Sequence, residues 1–169
     1  MSQRNTVEMV QAQTPSLLRR LGAVLYDSLL VGALLLLAMA LVVVSLGSLL
    51  GWENFDPGRL RGHPLYFAYL CCVPLLFFVW FWTHGGQTLG MRVWRMRVVT
   101  ADGRPLALRQ AVLRLASALL SWATLGLGFL WVLVDPQQLA WHDRLSGTRL
   151  VVTRKRPPSR AGVDSTTGA

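Results

Sequence analysis

The sequence is short of charge, and of negative charge above all. Asp and Glu number 8 in 169 residues, against 17 Lys and Arg, and charged residues make up only 15% of the chain. Globular domains usually carry about 25%. That shortfall argues against a soluble enzyme with a water-facing surface on all sides. Cysteine is almost absent too. Cys71 and Cys72 are adjacent, which is neither a metal-binding spacing nor a CxxC redox motif. The histidines are His63, His84 and His142. The first two stand at opposite ends of one apolar stretch and cannot share a metal. There is no GxSxG, no HExxH, no phosphate loop and no paired Glu. No catalytic residue, no metal site and no cofactor is therefore expected, and the chain reads as not an enzyme.

What is abundant is apolar side chain, at 53%, gathered into three blocks. The first runs from Leu21 to about Leu50 with Asp27 as its only charge. The second, Leu65 to Thr83, has none; the third, Leu115 to Val134, has none either, and Arg114 stands at its start. A bilayer core about 30 Å thick is crossed by about 20 helical residues. The fold class expected is an all-α membrane protein, with spanning helices over about 17–50 and 65–83. A third hydrophobic segment over about 106–134 is either a single span or a re-entrant hairpin. Arg19-Arg20 followed by an apolar run and Ala38-Met39-Ala40 imitates a cleavable secretory signal. The run continues for about ten residues past that point and contains Asp27, so an uncleaved signal anchor is the better reading. Gly22, Ala23, Gly32 and Ala33 mark places for close helix contact. Trp80 and Trp82 at the end of the second block suit an aromatic belt.

The net charge of +9 does not indicate nucleic acid. The basic residues flank the apolar blocks rather than covering one soluble face, which is the distribution that anionic inner-leaflet lipid favours. The partners expected are the bilayer with its anionic lipids, and a second copy or another membrane protein; no nucleic acid is expected. Charge also sets the orientation. Arg4, Arg19 and Arg20 precede the first block. Arg92, Arg95, Arg97, Arg104 and Arg109 lie between the second and third, and Arg144, Arg149, Arg154, Lys155, Arg156 and Arg160 follow the third. The loop over 51–64 sets Arg59 and Arg61 against Glu53 and Asp56. The N-terminus, the middle segment and the C-terminal tail all belong in the cytoplasm. A third straight crossing would place the tail outside, so the third segment is expected to break around Trp122 to Gly128 and return.

Val93 to Val99 alternates Arg95 and Arg97 with apolar neighbours, and Gly147 to Thr153 is its counterpart; both read as strands. The return would let them meet as a small cytoplasmic β element. Residues 1–15 are expected to be a flexible tail, 16–153 the membrane domain and 154–169 a disordered basic tail.

Three segments together resemble the RDD family of small bacterial integral membrane proteins. They are Arg20 with Asp27, then Gly86-Gln87-Thr88-Leu89-Gly90, then Gly128-Phe129-Leu130-Trp131 leading to Asp135-Pro136 and Leu139 through Thr148. The likeness covers roughly Pro15 to Val152. It implies that Arg20 is the family's arginine, with Arg19 its rival, and Asp27 the first aspartate. The second is Asp143, with Asp135 as the alternative. Met91 departs from the basic residue many relatives carry there. The resemblance implies a multi-pass protein of the bacterial inner membrane, and transport of ions or other solutes as a suggested role.

A carboxylate inside a bilayer costs about 2.5–3.5 kcal/mol on insertion scales and so seeks a partner or water. Asp27 therefore reads either as a cation or proton site or as half of an ion pair with Arg20 or Arg114. If the C-terminal segment returns, Asp135 and Asp143 approach the Arg20 end of the first helix and form one mixed-charge cluster. The transport or ion-pair candidates are thus Arg20, Asp27, Arg114, Asp135 and Asp143. The alternative to transport is a membrane accessory or scaffold protein that binds a partner or anionic lipid.

Overall fold

The computed structural model describes residues 14–153. The basic tail expected from 154 and the first 13 residues of the N-terminal tail lie outside them. Pro15, placed by the sequence at the end of that tail, is fully buried.

Helix α1 runs from Leu17 to Leu50, 34 residues of mostly Leu, Val and Ala without an internal proline, and ends at Gly51, whose φ is +82°. At 1.5 Å per residue it is about 51 Å long, well beyond the ~30 Å of a hydrocarbon core. The Asp56-Pro57-Gly58 turn forms as expected, with the Asp56 carboxylate accepting from Gly58 N–H at 2.8 Å. Helix α2, Pro64–Thr83, starts on proline, whose missing N–H is no loss in a first turn. It returns along α1, and the Tyr69 hydroxyl donates to the Ala38 carbonyl at 3.4 Å. Both helices are long and apolar enough to cross a membrane. Leu29, Leu36, Phe67 and Leu76 are among their many exposed large side chains, an arrangement stable in lipid and costly in water.

Past α2 the chain builds a compact end-piece: helix α3 (Leu89–Val93), strand β1 (Met96–Thr100), helix α4 (Leu108–Ala123), helix α5 (Leu127–Leu130) with a 3-10 turn over Trp131–Leu133, helix α6 (Trp141–Leu145) and strand β2 (Thr148–Val152). The strands pair antiparallel, Met96 opposite Val152 and Thr100 opposite Thr148. The expected strand pairing is correct, but the first strand begins three residues later than its alternation suggested. Val93 instead closes α3, because the Thr88 side chain caps that helix by accepting from Met91 N–H. Arg95 then takes a left-handed φ of 53° before the strand.

The third apolar segment is bent. Leu108–Ala123 and Leu127–Leu133 meet at 107°, with Leu125 at φ 55° and Gly126 at φ 83°, inside the stretch where a break was expected. The paired strands bring its two ends back to one place. Helix α4 is polar inward and apolar outward: Arg114, Ser117 and Ser121 are buried, while Leu119, Leu120 and Trp122 are exposed. The core lies where α1, α2, α4 and the sheet converge, around Ala23, Val79, Trp82, Met96, Val98 and Ala111.

Candidate functional site

Asp143 is the centre of the buried charge. It is the third residue of α6, and there its Oδ2 accepts from the Ala140 N–H at 3.0 Å, closing the helix start as an acceptor at that position does. The same oxygen accepts from Arg20 Nη1 at 3.1 Å, and Oδ1 accepts from Arg114 Nη1 at 2.6 Å. Arg114 also donates to the Thr148 hydroxyl at 2.6 Å, and its guanidinium stands 5.4 Å from the Trp82 ring centre. Arg20 further donates to the carbonyls of Pro15 and Gln138 at 3.3 and 2.9 Å. The mixed-charge cluster expected of three distant segments therefore forms, with Asp143 rather than Asp135 in it and Arg20 rather than the exposed Arg19.

The cluster sets two protonation states. Burial pushes the Asp143 carboxyl up, but Arg114, Arg20 and the Ala140 N–H outweigh it and hold the group below its ordinary value. His142 is buried beside both arginines, and burial first, then Arg114, lowers it to about 3. Its imidazole is neutral at pH 7 and lies against Phe129, ring centres 5.0 Å apart.

Asp27 is elsewhere. The expected ion pair with Arg20 or Arg114 does not form, since both arginines turn to Asp143. Asp27 Oδ2 accepts from the Thr88 hydroxyl, and Oδ1 from the Gly90 N–H at 2.8 Å. The Gly-Gln-Thr-Leu-Gly run is explained by this contact. A Cβ on Gly90 would lie 2.5 Å from the Ala23 carbonyl oxygen and 2.9 Å from the Asp27 carboxyl carbon. Gly86 has φ +68°, and a Cβ there would lie 2.4 Å from the Val98 carbonyl oxygen. Gln87 donates to the Met96 carbonyl at 2.7 Å. The run ties α1, α3 and β1 together by backbone groups that only glycine admits at this range. Met91, which departs from the basic residue noted for that position, packs against the core.

Asp135 stays local. It accepts from Leu139 N–H at 2.8 Å and pairs with Arg144. Trp82, expected in a belt, is 5% exposed and lies in the core, while Trp80 is 61% exposed and stacks on His84. Gly22 meets the Trp94 ring rather than another long helix, and Gly32 faces open space. Thr88, Trp82, His142 and Thr148 were not singled out from the sequence as members of these sites. Hydroxyls and rings carry no charge signal, although Thr88 sits inside a motif that was noticed.

Chemically, these are two clamps. Each oxygen of Asp27 holds a donor and the residue is 3% exposed; Asp143 is held by two cations and an amide. Among the described residues no group of three His, Cys, Asp or Glu side chains is placed to hold a metal ion. A family model described as the RDD family matches residues 14–147, which contain both clamps. No curated protein matches the chain, and no solved structure does.

Proposed function

The chain belongs to the RDD family, and from that premise we propose a multi-pass accessory protein of the bacterial inner membrane that does not itself carry ions. Its N-terminus and two-stranded sheet face the cytoplasm, where it holds anionic lipid or a partner membrane protein. The observation that carries this reading is the state of Asp27. A transport carboxylate needs a face open to water or to a cation. This one is closed on the Thr88 hydroxyl and the Gly90 amide, with Gly90 packed against it too closely for one carbon more.

The orientation follows from the arginines around the sheet and from the sparse, charge-balanced loop between α1 and α2. The third segment is read as a shallow re-entrant turn. Irregular backbone exposed to hydrocarbon is excluded, so the break, with Leu125 94% exposed, is read as lying at the interface, where water meets its free carbonyls. The N–H groups of Thr124, Leu125, Gly126 and Leu127 each have a local carbonyl partner, the shortest being Gly126 to Ser121 at 2.8 Å. The outward Leu119, Trp122 and Leu125 suit the acyl boundary.

The test is flux in vesicles reconstituted with the purified chain, with pH- and cation-sensitive dyes inside. Wild type is expected to match empty vesicles. A proton or cation flux that disappears in a folded Asp27→Asn variant would overturn the proposal and restore the transport reading.

A further inference from the structure

Away from both clamps, a groove of about 590 Å³ opens between α1 and α2. That lies within the ~300–1,000 Å³ usual for small-ligand sites. Leu34, Val73, Phe77 and Trp80 form its walls, and His84 and Leu108 stand at one end. The walls are almost wholly apolar, so the groove suits a hydrocarbon chain. Its end is different in kind. Arg109 follows Leu108 in the chain and is exposed. Arg97 is also exposed, and its Nε–H donates at 2.8 Å to the carbonyl of Gly85, the residue after His84. Neither arginine has an ion-pair partner among the described residues. Thus two exposed arginines adjoin the residues at the His84 and Leu108 end of an apolar groove, Arg97 held at the Gly85 carbonyl and Arg109 following Leu108 in the chain, neither with a counter-charge among the described residues.

We propose that this groove is a binding site for one anionic phospholipid, with an acyl chain along Leu34, Val73 and Phe77 and the phosphate between Arg97 and Arg109. The charge pattern selects this occupant. An apolar helix of a partner would fill the walls but leave both arginines without an anion. A soluble anion would meet the arginines but gain nothing from the walls. The exposed Trp80 indole lies where a ring with an apolar body and a polar edge is favoured, near the headgroup level. The site supplies the lipid half of the accessory reading and rests on its orientation, which places the arginines in the leaflet rich in anionic lipid.

The experiment is native mass spectrometry of the full chain released from detergent, titrated with phosphatidylglycerol or with phosphatidylcholine of the same acyl chains. Wild type should retain phosphatidylglycerol preferentially. Each of Arg97→Gln and Arg109→Gln should weaken that retention about five-fold, and the pair about 30-fold, from the usual worth of an arginine near an anionic surface. Leu34→Trp fills the groove without touching charge and should reduce retention of both lipids. Leu76→Trp, at an exposed lining position, repeats that test should the first variant misfold. Equal retention of the two lipids by wild type overturns the proposal. So does loss in the arginine variants with no effect of either tryptophan, which would mean surface attraction alone. A dimer that the tryptophans dissociate would make a second copy the occupant and also overturns it. Failure here with silent vesicles removes the lipid site and leaves the accessory reading standing, whereas flux in the vesicles removes that reading without bearing on lipid retention.

Discussion

Asp143→Asn tests whether the buried cluster holds the end-piece together. The substitution keeps the size of the side chain, removes its charge and turns one acceptor oxygen into a donor. Three donors now converge on the carboxylate: Arg114 at 2.6 Å, Arg20 at 3.1 Å and the Ala140 N–H at 3.0 Å. The larger loss is at Arg114, whose side chain is 3% exposed. Arg20, at 10%, keeps two carbonyl acceptors. Removing one member of a buried pair costs about 3–5 kcal/mol, because the other charge is left unpaired. The disturbed helix start adds about 1 kcal/mol. Against a total stability of about 5–15 kcal/mol this is severe. At roughly 2–4 °C per kcal/mol for a chain of this size, Tm should fall by about 8–24 °C. The assay is thermal unfolding in detergent followed by tryptophan fluorescence, to which Trp82 reports from beside Arg114. Adding Arg114→Met to Asp143→Asn should recover part of the loss, with a coupling of about 2 kcal/mol between the two sites. An Asp143→Asn protein within about 1 kcal/mol of wild type, or strictly additive single variants, would refute the clamp.

Acid should weaken the fold in a window set by His142. The folded imidazole stays neutral down to about pH 3, while the unfolded one takes a proton below 6.5. The unfolded state binds more protons in between, so stability falls as pH falls, by about 3 kcal/mol at pH 4.5. His142→Gln should show a smaller drop in Tm between pH 7.5 and 4.5 than wild type; parallel curves would exclude His142 as the cause. Asp143 acts in the same sense lower down, its contribution being lost only below its ordinary 3.8. Gly90→Ala should destabilise by about 1–3 kcal/mol through the forced contact with Ala23 and Asp27. Gly32→Ala, with nothing within 4 Å, should stabilise α1 by up to about 1 kcal/mol; equal effects in thermal melts would count against the α1–α3 contact. With Cys71 and Cys72 replaced, single cysteines at Gly103 and Gln137 should both react with an impermeant maleimide from the cytoplasmic side only, and one at Gly62 from the other side only. Opposite labelling of Gly103 and Gln137 would make the third segment a full crossing.

How much of this was legible depended on which physical constraint acted. Helix ends are legible where an apolar run meets proline, glycine or polar residues, at Pro15 and Gly51 around α1 and at Pro64 and His84 around α2. The bend of the third segment lies where a charge count asked for a break, since a straight crossing would strand basic residues. Strand pairing followed from the same sidedness. Rotation about a helix axis was not legible. Trp80 and Trp82 are two residues apart and therefore point to nearly opposite faces of α2, so only one can meet lipid; the pattern of the second block, apolar on all sides, does not say which. The partner of Asp27 was missed for a different reason. Charges suggest charges, but the carboxylate took a hydroxyl and a backbone amide some 60 residues away in sequence, and backbone amides leave no mark except the glycine that lets them approach.

The placement of Arg20 and Asp27 on α1 lets each hold a different segment of the end-piece. Seven residues apart, they lie on nearly one face and about 10 Å apart along the axis. Each grips the first turn of a short helix: Asp27 takes the Thr88 hydroxyl and Gly90 amide of α3, and Arg20 takes Asp143 of α6. Each short helix leads directly into a strand, α3 into β1 and α6 into β2, and those strands pair with each other. The two clamps and the sheet therefore form a closed circuit through α1. Arg114 ties α4 into it by reaching Asp143 and Thr148, one residue at the start of α6 and one at the start of β2. Such a circuit predicts coupling between the clamps, so Asp27→Asn and Asp143→Asn are expected to be non-additive in thermal melts. The geometry that matters is the spacing of Arg20 and Asp27 on one helix face, which lets the two charges act as fastenings between α1 and the end-piece.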